Sequence, residues 1–147
     1  MGQIAVEISH RVIEAIRLPA SLRLARHGAL ATFEGKIRDH NEGFEVIGID
    51  FDCHQNLALE TIREICAEFQ AGQKMDCDLY VHHRIGFIRC GETSVYVAAA
   101  SPHRKAALGA VEYVIDELKR RAPIWKQERY KNGNTAWLKG NSLVQRE

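Results

Sequence analysis

The sequence has few cysteines and no excess of charge of one sign. Its four cysteines, Cys53, Cys66, Cys77 and Cys90, include no C-x-x-C pair, so the spacing of zinc ribbons and dithiol redox sites is absent. We interpret them as reduced, mostly buried thiols. The formal net charge of +1 gives the molecule no field that would attract nucleic acid. Any anion site must therefore be a local cluster of cations.

Long apolar runs and common nucleotide motifs are also missing. No run approaches the roughly 20 residues that cross a bilayer. Glu7 interrupts the N-terminal segment before a signal-peptide core could form, which predicts a cytoplasmic protein. Walker-type, G-x-S-x-G and G-x-G-x-x-G motifs do not occur. The pair His82 and His83 has no carboxylate or cysteine at ligand spacing, and adjacent strand residues point to opposite faces, so we expect no metal and no cofactor.

The length of 147 residues and the 46% of hydrophobic residues fit one domain, which we expect to span residues 1–147. Helical periodicity predicts helices over residues 56–70 and from the Ser101-Pro102 cap to Ala122-Pro123, with short helical pieces at 12–17 and 22–26. Strand patterns lie at residues 3–8, 28–38, 44–53, 75–85, 93–100, 124–130 and 135–138, with a turn at 86–92. This order predicts an α+β domain with helices on an antiparallel or mixed sheet.

Cations cluster at the ends of two predicted elements. Lys36 and Arg38 are two residues apart, so strand alternation predicts that they share a face, although charged residues at a strand end usually form a solvated edge. His103 and Arg104 lie at a helix N-terminus, where cations oppose the helix dipole. Their presence there indicates an anion that offsets the repulsion.

A third cationic segment follows at the end of the second helix. Lys119, Arg120 and Arg121 suit the negative end of the helix dipole, which explains them without any site. Lys126 is harder to explain in this way. It follows Pro123-Ile124-Trp125, and strand alternation places it on one face with Glu128.

Four segments in this order identify the chain as similar to a known family. They are FEGKIRDHNEG (33–43), VHHRIGFIRCGE (81–92), SPHRKAAL (101–108) and DELKRRAPIWKQE (116–128). Over roughly residues 3–138 the chain resembles the large, catalytic subunit of molybdopterin synthase, the MoaE family.

The resemblance implies an α/β hammerhead core with an added antiparallel β subdomain. It also implies a homodimer that binds a small ubiquitin-like sulfur-carrier subunit at each end, giving a heterotetramer. The carrier's C-terminal Gly-Gly, as a thiocarboxylate, would donate sulfur twice to cyclic pyranopterin monophosphate and so form molybdopterin. The chain would then be a sulfurtransferase subunit, with sulfur arriving on the partner rather than on its own cysteines.

The resemblance assigns the site residues position by position. The matching positions are Lys36, Ile37, Arg38, His103, Arg104, Lys119, Lys126, Gln127 and Glu128. Arg38, His103 and Arg104 are expected to bind the phosphate and the pterin. Lys119 matches the principal catalytic lysine, as acid, base or electrostatic stabiliser, and we expect neighbouring cations and partial burial to lower its pKa. Lys126 is expected to hold the thiocarboxylate.

One position departs from the family pattern, and two alternative functions remain to be weighed. After Trp137 the sequence has Lys139, where family members are expected to supply an arginine to the neighbouring subunit's site.

The alternative function is a non-catalytic module that binds a ubiquitin-like protein or a phosphorylated metabolite, and the presence of Lys119 together with Lys126 argues against it. A nucleic-acid module is disfavoured by the near-zero net charge.

Overall fold

The computed structural model describes residues 2–14, 17–133 and 135–137. Two single turns of 3-10 helix, Ala20–Leu22 and Leu24–Arg26, lie between the first two strands. The elements follow in the order β1 (Ile4–Ser9), β2 (Ala29–Lys36), β3 (His40–Asn41), β4 (Phe44–Cys53), α1 (Gln55–Ala71), β5 (Asp78–Arg84), β6 (Gly86–Arg89), β7 (Thr93–Ser101), α2 (Arg104–Arg121), β8 (Ile124–Tyr130) and β9 (Thr135–Trp137).

The strands form two sheets. The first has the order β1-β5-β7-β2 and is mixed, because β1 runs parallel to β5 while the other pairs are antiparallel. The second is antiparallel, with the order β3-β4-β8-β9 and with β6 paired to β4. The α+β class and the antiparallel β subdomain expected beside the core are therefore confirmed.

Apolar faces at the predicted periods build the core. Both helices pack against the first sheet and against each other. They bury residues at helical spacing: Ala58, Ile62, Ile65 and Cys66 of α1, and Ala107, Ala110, Val114, Ile115 and Leu118 of α2. Leu22 packs against the other face of the sheet, so both faces are covered and every residue of β7 is buried. No helix within the described residues is long and apolar enough to cross a membrane.

Three local predictions were wrong. Residues 86–89 form a strand rather than a turn, because Gly86 adopts φ +93° and the chain then pairs with β4. Ser101 does not cap α2, since it is buried at the end of β7 and its hydroxyl donates to the Asp76 carbonyl at 3.0 Å. The helix begins at Arg104 instead. Residues 12–14 and 17 are not helical.

A buried carboxylate anchors the segment before β2. Asp78, at the start of β5, is fully buried and accepts hydrogen bonds from the Gln3 backbone N–H at 2.7 Å and from the Arg23 guanidinium at 2.5 and 2.7 Å. The His27 ring lies 2.7 Å from the same carboxylate. Burial alone would raise the pKa of Asp78, but these hydrogen bonds hold it below its usual value. The network fixes the 3-10 turns against the first sheet.

We expect Asp78→Asn to lower the free energy of unfolding by roughly 3 kcal/mol, because it leaves Arg23 without its buried counter-charge. Urea denaturation at pH 7, followed by circular dichroism, measures the change. Asp52→Asn is the control: that carboxylate is exposed, and its loss should cost no more than about 0.5 kcal/mol. Equal stabilities of the two variants would contradict an anchoring role for Asp78.

Candidate functional site

A small cavity of about 100 Å³ lies between the two sheets and the C-terminal end of α2. Three of its lining side chains are lysines, from three different parts of the chain. It is lined by Gly35, Lys36, Ile37, Ile49, Phe51, His83, Ser94, Val95, Ile115, Leu118, Lys119 and Lys126. Cationic groups therefore surround an otherwise largely apolar recess.

The corner between α2 and β8 brings Lys119 and Lys126 to this cavity. Lys119 is in the last turn of α2, and the buried residues Ala122 and Pro123 then turn the chain into β8. The Pro123 carbonyl accepts the His54 backbone N–H at 3.1 Å, which ties the corner to the start of α1. Strand β8 pairs with β4, where Lys126 lies opposite Phe51.

A bulge at the end of β2 brings Lys36 to the same cavity. The register between β2 and β7 shifts between Gly35 and Lys36. Gly35 is required there, because a Cβ would lie 2.8 Å from a methyl carbon of Val95. Strand β2 ends at Lys36, so simple alternation does not extend to Arg38. Lys36 lines the cavity, whereas Arg38 is exposed beside it.

The pKa of Lys126 is lowered from its ordinary value. Burial is the largest cause, followed by the positive charge of Lys119, and Arg38 adds to the effect. Glu128 opposes it, but this buried carboxylate also accepts a hydrogen bond from the Asn41 amide at 3.0 Å. Lys119 itself is exposed in this chain. The partial burial that we expected at Lys119 is thus found at Lys126.

His83 is a lining residue that the sequence interpretation missed. It is buried, and its ring packs edge-on against Phe51 at a centroid distance of 5.2 Å. Burial, and then the charges of Lys119 and Lys126, lower the pKa of His83 to about 4. The available signal was alternation, because Leu79, Val81 and His83 share the core-facing side of β5.

Other predicted site residues lie elsewhere in this chain. His103 and Arg104 are exposed at the start of α2, and fifteen residues of helix place Arg104 about 22 Å from Lys119. Gln127 alternates to the face of β8 opposite Lys126 and donates to the Thr135 hydroxyl at 3.4 Å. Lys139 lies outside the described residues. The roles proposed for all four stay predictions.

All four thiols are at least partly removed from solvent. All four cysteines are free, with Cys66 and Cys77 buried and Cys53 and Cys90 half-buried. Burial raises the pKa of each, to about 12 for Cys66 and about 11 for Cys77. In the part of the chain that the structure describes, no group of three or more histidine, cysteine, aspartate or glutamate side chains could hold a metal ion.

Comparison with known proteins gives one consistent result. The family model described as MoaE protein matches residues 5–121. The chain belongs to the MoaE family. It is 42% identical over 120 residues to the molybdopterin synthase catalytic subunit of Synechococcus elongatus. The aligned region covers 82% of this chain and 73% of that relative.

Solved structures show the same fold. A molybdopterin synthase structure from Staphylococcus aureus superimposes with a TM-score of 0.79 at 26% identity, covering 90% of this chain and 95% of that one. A Helicobacter pylori protein-protein complex of subunits 1 and 2 of molybdopterin-converting factor gives a TM-score of 0.72 at 21% identity, covering 92% and 90%. The latter likeness concerns the fold alone.

Membership of the MoaE family confirms the resemblance and the expectation of an enzyme subunit, because the similar Synechococcus elongatus relative is named a catalytic subunit. The family match ends at residue 121, so Lys126 and Glu128 lie beyond it. The place of Lys126 beside Lys119 rests on the α2–β8 corner and on the shared cavity, and Glu128 lies next to Lys126.

We expect Lys119→Gln to raise the pKa of Lys126 toward its ordinary value of 10.5, because one like charge is removed while the burial remains. NMR titration of reductively ¹³C-methylated protein measures this pKa. Lys74→Gln is the control, since Lys74 is exposed near the start of α2, at the opposite end from Lys119. A Lys126 pKa that is the same in both variants would show that the two lysines are not electrostatically coupled.

Proposed function

We propose that this protein is the sulfurtransferase subunit that converts cyclic pyranopterin monophosphate to molybdopterin. The sulfur donor is the C-terminal thiocarboxylate of a small ubiquitin-like partner subunit. The observation that carries the proposal is the convergence of Lys119 and Lys126 on one small cavity in a chain of the MoaE family. The reaction takes place in the cytoplasm, where free thiols such as the four cysteines persist.

The size and charge of the cavity fit the end of an extended tail. Small-molecule sites usually enclose roughly 300–1,000 Å³, and this cavity has about 100 Å³. A tail that ends in Gly-Gly is narrow enough to enter. Its terminal anion meets the ammonium groups of Lys119 and Lys126 there, together with Lys36, which is ion-paired with Glu34 at 3.4 Å. Ordering each residue of the tail costs roughly 1–2 kcal/mol, which charge-assisted hydrogen bonds at its end offset.

The two lysines divide the chemistry. Lys126, half-buried and with a lowered pKa, holds the thiocarboxylate and the negative charge that develops during transfer. Lys119 is the principal catalytic lysine, acting on the pterin as acid, base or electrostatic stabiliser. Lys36, Ile37 and Arg38 border the same region, and Glu128 limits the accumulation of positive charge beside Lys126.

The cysteines are poor candidates for carrying the sulfur. A thiol attacks as its thiolate, and the raised pKa of each cysteine keeps it protonated at neutral pH. We accordingly assign the sulfur to the partner's tail.

The residues expected to bind the substrate phosphate, His103 and Arg104, lie at the start of α2, at the opposite end from Lys119. Arg104 is about 22 Å from Lys119 along α2, and His103 precedes Arg104, a separation that a rigid helix does not change. We therefore assign them to the lysine cavity of a second copy in a homodimer, where they bind the phosphate and the pterin. Gln127 is assigned to the rim of the same site. Each chain is one domain of residues 1–147, and two partner subunits complete a heterotetramer.

Reconstitution tests the function. Purified protein, mixed with the thiocarboxylated partner and cyclic pyranopterin monophosphate, should form molybdopterin, which is detected as its fluorescent oxidation product. Lys119→Ala should remove most turnover while leaving fold and partner binding nearly intact, and Lys126→Ala should reduce turnover less completely. Arg63→Ala, which removes an exposed cation on α1, is the matched control.

Two outcomes of the reconstitution count against the proposal. A Lys119→Ala rate within about threefold of the wild type, less than about 0.7 kcal/mol of barrier, would remove the catalytic assignment. A wild-type protein that binds the partner but forms no product would instead be a binding module.

A partner lacking its last two glycines should neither transfer sulfur nor bind tightly.

Subunit mixing tests the shared site. Lys119→Ala and His103→Ala chains, each inactive alone, should regain about a quarter of wild-type activity when mixed, because hybrid dimers are half of the population and hold one intact site of two. Mixing Lys119→Ala with Lys126→Ala is the control and should give no more than the average residual activity of the two variants, since both damage the same end of the chain. Purified His103/Lys119 hybrids without activity would show that the site does not form between copies.

A further inference from the structure

His83 lines the lysine cavity, and one of its two ring nitrogens is free to accept a hydrogen bond. Its Nδ1 lies 2.8 Å from the Arg84 carbonyl oxygen, and a carbonyl only accepts, so Nδ1 carries the proton. In the neutral ring Nε2 then holds a lone pair. Within the described residues Nε2 makes no hydrogen bond. The ring is fixed by Phe51, so the direction of this lone pair is fixed as well.

The other polar side chains of the cavity differ from His83 in what they offer. Lys36, Lys119 and Lys126 are donors when protonated. The Ser94 hydroxyl donates its proton to the Gly35 carbonyl at 3.2 Å, and its oxygen lone pairs remain able to accept. The pKa of His83, lowered to about 4, keeps the ring neutral and Nε2 free to accept at neutral pH. The cavity therefore combines cationic donors with one directed neutral nitrogen acceptor.

The end of a peptide tail carries the complementary groups. A C-terminal residue has an acceptor-only carboxylate or thiocarboxylate. Its amide N–H donor lies two bonds away, about 2.5 Å in a straight line from the amide nitrogen to the carboxyl carbon. Inside a recess of about 100 Å³ this N–H is removed from water together with the anion. A buried N–H without an acceptor opposes binding.

We propose, on the basis of the proposed function, that His83 is a binding residue for the sulfur-donor tail. Its Nε2 accepts the amide N–H of the tail's last residue while Lys119 and Lys126 hold the terminal anion. His83 thus distinguishes a peptide end from a free carboxylate or phosphate, which offers the lysines an anion but gives Nε2 no amide donor.

A single-atom change in the tail tests this contact. The partner is prepared by ligation with glycolate in place of its last glycine, which replaces the N–H by an ester oxygen and leaves the terminal carboxylate. Calorimetry compares this partner with the unmodified carboxylate partner. We expect the glycolate partner to bind wild-type protein about fivefold to tenfold more weakly. The same two partners should bind His83→Phe with nearly equal affinity.

Variants of neighbouring residues provide the controls. His83→Phe keeps an aromatic ring against Phe51, and His83→Gln restores an acceptor and should recover part of the preference for the glycine partner. His82→Phe is the matched control, because His82 is equally buried but faces the other side of β5, where it bonds to Ser9 at 2.7 Å. It should keep the wild-type preference. In turnover, His83→Phe should raise the KM for the partner far more than it lowers kcat.

The outcomes separate the two proposals. Equal affinity of both partners for the wild type would overturn the role of His83, as would a preference that persists unchanged in His83→Phe. If His83→Phe does not fold, the same comparison is made with His83→Leu, which also lacks a hydrogen-bond acceptor. If the unmodified thiocarboxylated partner binds but yields no molybdopterin, the proposed function fails while the calorimetric comparison still decides the role of His83.

Discussion

Lys126 is a cation that the fold holds partly out of water, and the rest of the site depends on that constraint. Removing an ammonium group from water and placing it near Lys119 and Arg38 both oppose its charged form. The packing of the core around it must offset this cost. Ile124, two residues earlier, is buried on the same strand, and β4 pairs along the length of β8. An anion that enters the cavity relieves the repulsion between the cations.

The same electrostatics explains the rest of the cavity wall. A charged carboxylate lining the recess would neutralise the lysines and compete with an anionic ligand, and none of the described lining residues is acidic. Glu128 lies beside Lys126, but it is buried, and its carboxylate also accepts a hydrogen bond from the Asn41 amide. His83 adds polarity without charge, because burial keeps its imidazole neutral. The recess can therefore bind an anion and still recognise an adjoining N–H.

Sequence patterns predicted those parts of the fold and site that depend on local periodicity. Alternation placed Lys126 and Glu128 on one face of β8, and helical spacing gave the buried face of α2. The errors arose where a distant partner decides the outcome. The Ser101 hydroxyl bonds to a carbonyl 25 residues away instead of capping a helix. The packing of the two sheets against each other decides that Lys126 rather than Lys119 is partly buried. The same packing places His83 beside both lysines. The family resemblance supplied Lys119, whose local pattern was explained by the helix dipole alone.

Helix α2 shows why proximity in sequence does not mean proximity in space. Its eighteen residues form a rod of about 27 Å, with His103 and Arg104 at one end and Lys119 at the other. No side-chain movement brings these groups together within one chain. A two-fold axis between two copies can bring the start of one α2 to the end of the other. By symmetry the same contact then forms a second time, because each residue pair across such an interface occurs twice. In the proposed dimer, each rod gives its phosphate-binding end to one site and its lysine end to the other, so neither site is complete until the two chains associate.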